Sequence, residues 1–86
     1  MANYKIEVSA TAEKQIRGLG RDEQVRVLRA IQQLATDPRP RGARKLRGYD
    51  DVYRIRVGTF RVIYSVESGR LLVIVLKVGH RKDIYR

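Results

Sequence analysis

The segment Tyr53–Tyr64, YRIRVGTFRVIY, alternates arginine with apolar residues on both sides of a Gly58-Thr59 pair, the pattern of a β-hairpin. Side chains of a strand point by turns to its two faces. Arg54 and Arg56 therefore share one side of the first strand, and Tyr53, Ile55 and Val57 share the other. In the return strand Arg61, Ile63 and Ser65 fall on one face, opposite the uniformly apolar Phe60, Val62, Tyr64 and Val66. The apolar face must meet a core, which leaves three guanidiniums projecting from the other surface. Guanidinium is planar, permanently charged and shaped for bidentate hydrogen bonds to phosphate or carboxylate oxygens. Any half-buried strand alternates in this way, however, so a solvated outer sheet face is the competing explanation.

The preceding residues supply the layer that an apolar sheet face needs. Tyr4 to Ser9 alternates and reads as a strand. Ser9 or Thr11 is placed to cap a helix whose apolar positions are Ala12, Ile16 and Leu19, ended by Gly18 and Gly20. A second helix, with Asp22 as the expected cap, carries Val27, Leu28, Ile31, Leu34 and Ala35 and stops at Asp37-Pro38. Residues 38 to 51, PRPRGARKLRGYDD, read as a loop around a short extended piece at Lys45 to Arg47. After the hairpin and a turn at Ser68-Gly69 comes a final strand, Leu71 to Val78, apolar on both faces as in a sheet interior. The expectation is an α+β fold of order β-α-α-β-β-β, with two helices on one face of a small, largely antiparallel sheet. Residues 1–86 are expected to form one domain, with no repeats or linkers.

Charge separates the two halves of the chain. Of a formal net charge of +10, residues 1–37 contribute little, with six basic against five acidic residues. From Pro38 onward there are thirteen basic residues against four acidic ones. An electrostatic footprint for nucleic acid shows such asymmetry, and a general solubility device does not require it. The loop contributes Arg39, Arg41, Arg44, Lys45 and Arg47, whose phosphate contacts would add to those of the strand arginines. Anionic membranes favour a basic amphipathic helix, whereas here the basic residues lie in strand and loop. There is no cysteine, no apolar leader and no run long enough to span a bilayer, so a soluble, cytoplasmic protein is expected.

With one histidine and no cysteine, a His/Cys metal cluster and a Cys nucleophile are excluded, and no phosphate loop or cofactor motif is present. RNA cleavage fits these limits, because RNA carries its own nucleophile, the 2′-OH. The protein then has to align that oxygen, stabilise the phosphorane and help the 5′-oxygen leave, and fixed cations do the second of these well. Arginine carries protons poorly. The ending VGHRKDIYR adds Arg81 and Lys82, Tyr85 with a flat ring and a hydroxyl, and His80, the residue type that exchanges protons near neutrality.

The element order, the run KLRGYDDVYRIRVGTFRVIY and the ending VLKVGHRKDIYR together resemble the RelE toxins of the RelE/ParE toxin-antitoxin superfamily. The resemblance implies a cofactor-free endoribonuclease that cuts messenger in the ribosomal A site, leaving a 2′,3′-cyclic phosphate and a 5′-OH. It implies phosphate contact by Arg54, assistance to the 2′-OH by Arg56, and stabilisation of the pentacovalent phosphate by Arg61. Arg81 would support the leaving oxygen and Tyr85 would stack on a base. Arg44, Lys45, Arg47, His80 and Lys82 are the additional RNA-binding candidates. The first two hairpin positions are often lysine in the family, and lysine lowers its pKa on burial more readily than arginine, so His80 is the alternative proton carrier. The implied partners are the ribosome with its messenger and a RelB-like antitoxin, with DNA reached only through the antitoxin complex. Two other readings share the fold: a ParE-type gyrase inhibitor and a non-catalytic RNA- or ribosome-binding domain.

Overall fold

The computed structural model describes residues 3–80. Strand β1 (Lys5–Val8) leads into helices α1 (Ala10–Arg17) and α2 (Arg21–Gln33). The short strand β2 (Arg44–Lys45) precedes the hairpin strands β3 (Val52–Val57) and β4 (Phe60–Glu67), and a single 3-10 turn, Ser68–Arg70, connects to β5 (Leu72–His80). The sheet order is β1-β5-β4-β3-β2. Only the β1–β5 pair is parallel. The α+β architecture and its helix-covered sheet are as expected from the sequence, with the extended piece at Arg44–Lys45 rather than Lys45 to Arg47.

Local chemistry sets the helix boundaries. Ser9 caps α1, its Oγ accepting the Ala12 N–H at 3.1 Å. Helix α2 starts two residues earlier than Asp22 suggested. Gly20 is its cap, and the Gly20 N–H donates to Glu23 Oε1 at 3.2 Å, while Asp22 sits in the first turn, where its charge favours the helix dipole. The helices bury Ala12, Ile16, Val27 and Ile31 against Ile55, Val57, Phe60, Val62, Tyr64, Val66, Val73, Val75 and Val78. Each fully buried valine of this set contributes on the order of 1.5 to 2 kcal/mol of apolar transfer. Leu28 falls outside the stripe and is 41% exposed, because the contact line of α2 follows Val27, Ile31 and Leu34.

Strand β5 is irregular in a way that decides which face its end presents. Ile63 pairs with Lys77 and Tyr64 with Val75, so Leu76 has no counterpart in β4 and forms a bulge. Helix α1 supplies hydrogen bonds beside that bulge. Ser9 Oγ donates to the Leu76 carbonyl at 3.0 Å, and the Val78 N–H donates to Gln15 Oε1 at 2.7 Å. Beyond Val8, where β1 ends, α1 thus takes over as the neighbour of β5. The strand also starts at Leu72, since Leu71 has a left-handed φ of 50° that closes the 3-10 turn. On the face away from the helices Leu72 and Ile63 are buried. Ile63 lies in register between Arg54 and Lys77.

Candidate functional site

Strand pairing places two arginine pairs side by side. Arg56 stands directly opposite Arg61 across the hairpin, and Arg54 directly opposite Arg44 across the β2–β3 ladder. The four side chains, with Gly42 and Ile55, line one hollow of about 310 Å³. Like charges directly opposite each other in a sheet cost stability. The volume lies at the lower end of the range for small-molecule clefts, which suits a phosphate with part of its sugar.

The loop that borders the hollow is held by a cluster of tyrosines. Tyr64 is fully buried, and its hydroxyl donates to the Pro38 carbonyl at 2.8 Å. Burial pushes that hydroxyl up to about 12. Tyr53 stacks on Tyr64 with ring centroids 6.0 Å apart. Arg39 lies over the Tyr53 ring at 5.3 Å and donates to the Tyr53 hydroxyl and to Ser68 Oγ, both at 3.0 Å. The bond to Tyr53 holds the Arg39 guanidinium above the ordinary arginine range. Arg39 is therefore a tether of the loop. Arg41, next along, lines an adjoining hollow with Arg56, a neighbourhood that the sequence signals only by the charge of the loop.

The structure thus brings Arg44, Arg54, Arg56 and Arg61 together. Lys45 pairs with Tyr53, the side opposite to Arg44, and together with Arg47 it lines the surface beyond the sheet edge. His80 is not brought to the arginines. It pairs with Phe60, and its ring rests 4.5 Å from that of Phe60, a core residue. The bulge at Leu76 is the reason: a one-residue slip transfers every later side chain to the opposite face. Arg81, Lys82 and Tyr85 lie outside the described residues. Among the described residues no group of three or more His, Asp or Glu side chains is placed to hold a metal, and no helix is long and apolar enough to cross a membrane.

Comparison with known proteins agrees with this fold. Residues 6–85 match the family model described as the ParE toxin of the type II toxin-antitoxin system parDE. Toxin RelG of Mycobacterium tuberculosis is 28% identical over 88 residues, covering 96% of this chain and 97% of the relative. Among solved structures, the toxin-antitoxin complex RelBE2 of M. tuberculosis superposes with a TM-score of 0.84 at 26% identity, over 96% of this chain and 97% of the other. The archaeal RelE-RelB complex of Pyrococcus horikoshii gives 0.83 at 30% identity, over 94% and 98%. Fold, matched length and the names of these relatives agree, and the chain belongs to the RelE family of type II toxin-antitoxin toxins, within the RelE/ParE superfamily.

Proposed function

We propose that this toxin is an endoribonuclease that cleaves messenger in the ribosomal A site by metal-free attack of the 2′-OH, so inhibiting translation in the cytoplasm. The observation that carries the reading is the convergence of two cross-strand arginine pairs, Arg44 with Arg54 and Arg56 with Arg61, on one hollow of about 310 Å³. In this reading Arg54 and Arg44 hold the backbone. Arg56 orients the 2′-oxygen toward the adjacent phosphorus, and Arg61 stabilises the charge that accumulates on the phosphorane oxygens. As the new P–O2′ bond forms, the P–O5′ bond breaks; the 2′-OH proton passes to water and the 5′-oxygen takes one from water, giving a 2′,3′-cyclic phosphate and a 5′-OH. Arg81 and Tyr85 of the tail support the leaving oxygen and stack on a base. The site has no described histidine beside the arginines, so His80 is not assigned as its proton carrier.

A RelB-like antitoxin is proposed as the partner, in keeping with structural neighbours that are RelB–RelE complexes. An acidic, extended segment laid over the hollow would neutralise the same charges that bind phosphate. The description of the matching family model favours one second reading, a ParE-type inhibitor of gyrase. Primer extension on a translated messenger separates the two. Wild-type toxin is expected to cut only when ribosomes are present, and Arg61→Ala to reduce the rate about 100- to 1000-fold, the usual loss for one electrostatic donor at such a centre. Uncut messenger with inhibited DNA supercoiling would replace this reading with the gyrase one, and binding without cuts would leave only an RNA-binding domain.

A further inference from the structure

The arginine hollow is one end of a longer groove. It shares Arg44 and Arg54 with a second hollow, lined by Lys45, Leu46 and Arg47 besides. That hollow in turn shares Lys45, Leu46 and Arg47 with a third, whose far wall is Gly48, Tyr49 and Asp50. Together the three adjoining hollows are lined by residues of β4, β3, the edge strand β2 and the turn after it. Two strand spacings alone span on the order of 10 Å, wider than a single phosphate group.

Tyr49 closes this track. At 63% exposure it is the one aromatic among the large exposed apolar side chains of the described residues. Core packing does not account for it. Its backbone is nevertheless well defined. The Tyr49 N–H donates to the Leu46 carbonyl at 3.4 Å, the Leu46 N–H to Val52 at 2.8 Å, and the Val66 N–H to Asp51 at 2.8 Å. Gly48, with a φ of 86°, makes the turn that presents the ring. A flat ring held out by an ordered turn at the end of a cationic groove is what a base-stacking platform requires, and pre-ordering lowers the entropic cost of using it. Asp50 marks where the track stops, since a carboxylate repels a further phosphate.

We infer that Tyr49, with Arg47, forms a second nucleotide subsite that stacks one unpaired base flanking the phosphate held by Arg44, Arg54, Arg56 and Arg61. This rests on the RNA reading of the arginine hollow and extends it from a point of cleavage to a short single-stranded track. Single-stranded RNA is favoured over a protein segment because the groove combines guanidiniums at successive positions with one exposed ring, the pairing that backbone and base demand.

The test is fluorescence anisotropy of the full-length toxin with a labelled single-stranded RNA of about six nucleotides, a length within the usual footprint of such grooves. A parallel set carries one abasic position at a time. Tyr49→Ala is expected to weaken binding by roughly 5- to 150-fold, the affinity equivalent of one base–aromatic stack. The same variant should also lose the sensitivity to an abasic residue at one position, and Tyr49→Trp should retain both. Circular dichroism confirms that each variant is folded. If Tyr49→Ala binds like wild type while Arg54→Gln and Arg56→Gln bind more weakly, the subsite is wrong and the arginine site stands. If wild-type toxin binds no free RNA, the subsite is overturned, and the ribosome-dependent cleavage reading is decided separately by primer extension. If Tyr49→Ala leaves RNA affinity intact and weakens only the antitoxin complex, the ring belongs to a protein interface and the inference is overturned.

Discussion

Replacing Tyr64 by phenylalanine isolates one hydroxyl whose energetic role can be worked out. The ring is fully buried and stays so in the variant, so the loss is confined to the bond from Tyr64 to the Pro38 carbonyl at 2.8 Å. Removing it forfeits the net hydrogen bond and strands a partly buried carbonyl, together about 2 kcal/mol. For a domain of this size that lowers Tm by about 8 to 16 °C. The pH dependence gives a second, independent readout. The folded hydroxyl titrates at about 12, above its unfolded value of 10.0. The tyrosine's contribution is therefore fully present below pH 10 and is lost as pH rises through about 12. Urea unfolding followed by circular dichroism at several pH values should show Tyr64→Phe less stable at pH 8, with the gap closing as pH rises above 10. A gap that is absent, or constant across that range, would refute the assignment of Tyr64 as the buried anchor of the basic loop.

Two other predictions address the site and its scaffold. If the arginines of the hollow each neutralise one phosphate of single-stranded RNA, binding should weaken about 50-fold between 50 and 200 mM salt, and Arg56→Gln should make the log–log slope shallower by about 0.7; a slope unchanged by that substitution removes Arg56 from the phosphate site. Ser9→Ala breaks both the cap of α1 and the bond to the bulged Leu76, so thermal unfolding should report a loss of about 2 kcal/mol, whereas Thr11→Ala on the exposed first turn should change stability by less than about 0.5 kcal/mol. Equal effects of the two would mean that Ser9 is not the joint between helix and strand.

The cationic face of the hairpin was legible because strand periodicity needs only neighbours in sequence. Arg54, Arg56 and Arg61 share a face for that reason, and the Gly58-Thr59 turn sets the opposition of Arg56 and Arg61. What depends on distant residues was not legible. Arg44 reaches the hollow only because a loop rich in proline and glycine returns it to β3, and the placement of β2 by one residue decides which side Arg44 and Lys45 take. The position of His80 turns on the Leu76 bulge, hidden within a run that is apolar on both faces and bonded by Ser9 and Gln15, residues 60 or more positions away. Asp22 reads equally well as cap or first-turn residue, because acidic side chains favour both positions, and the structure places it in the first turn. Tyr49 carries no distinguishing signal in the sequence, because aromatic residues in a charged loop usually pack back onto their own domain; only its exposure sets it apart.

The most direct test of the arginine hollow as an RNA-cleaving site replaces the single 2′-OH at a mapped cut by hydrogen. Messenger carrying one 2′-deoxynucleotide at that position, loaded on ribosomes with wild-type toxin, should remain uncut there while neighbouring sites are still cleaved and end in 2′,3′-cyclic phosphate. Cleavage at the deoxy position at the unmodified rate would show that the 2′-oxygen is not the nucleophile. The role given to Arg56 and Arg61 would then be wrong.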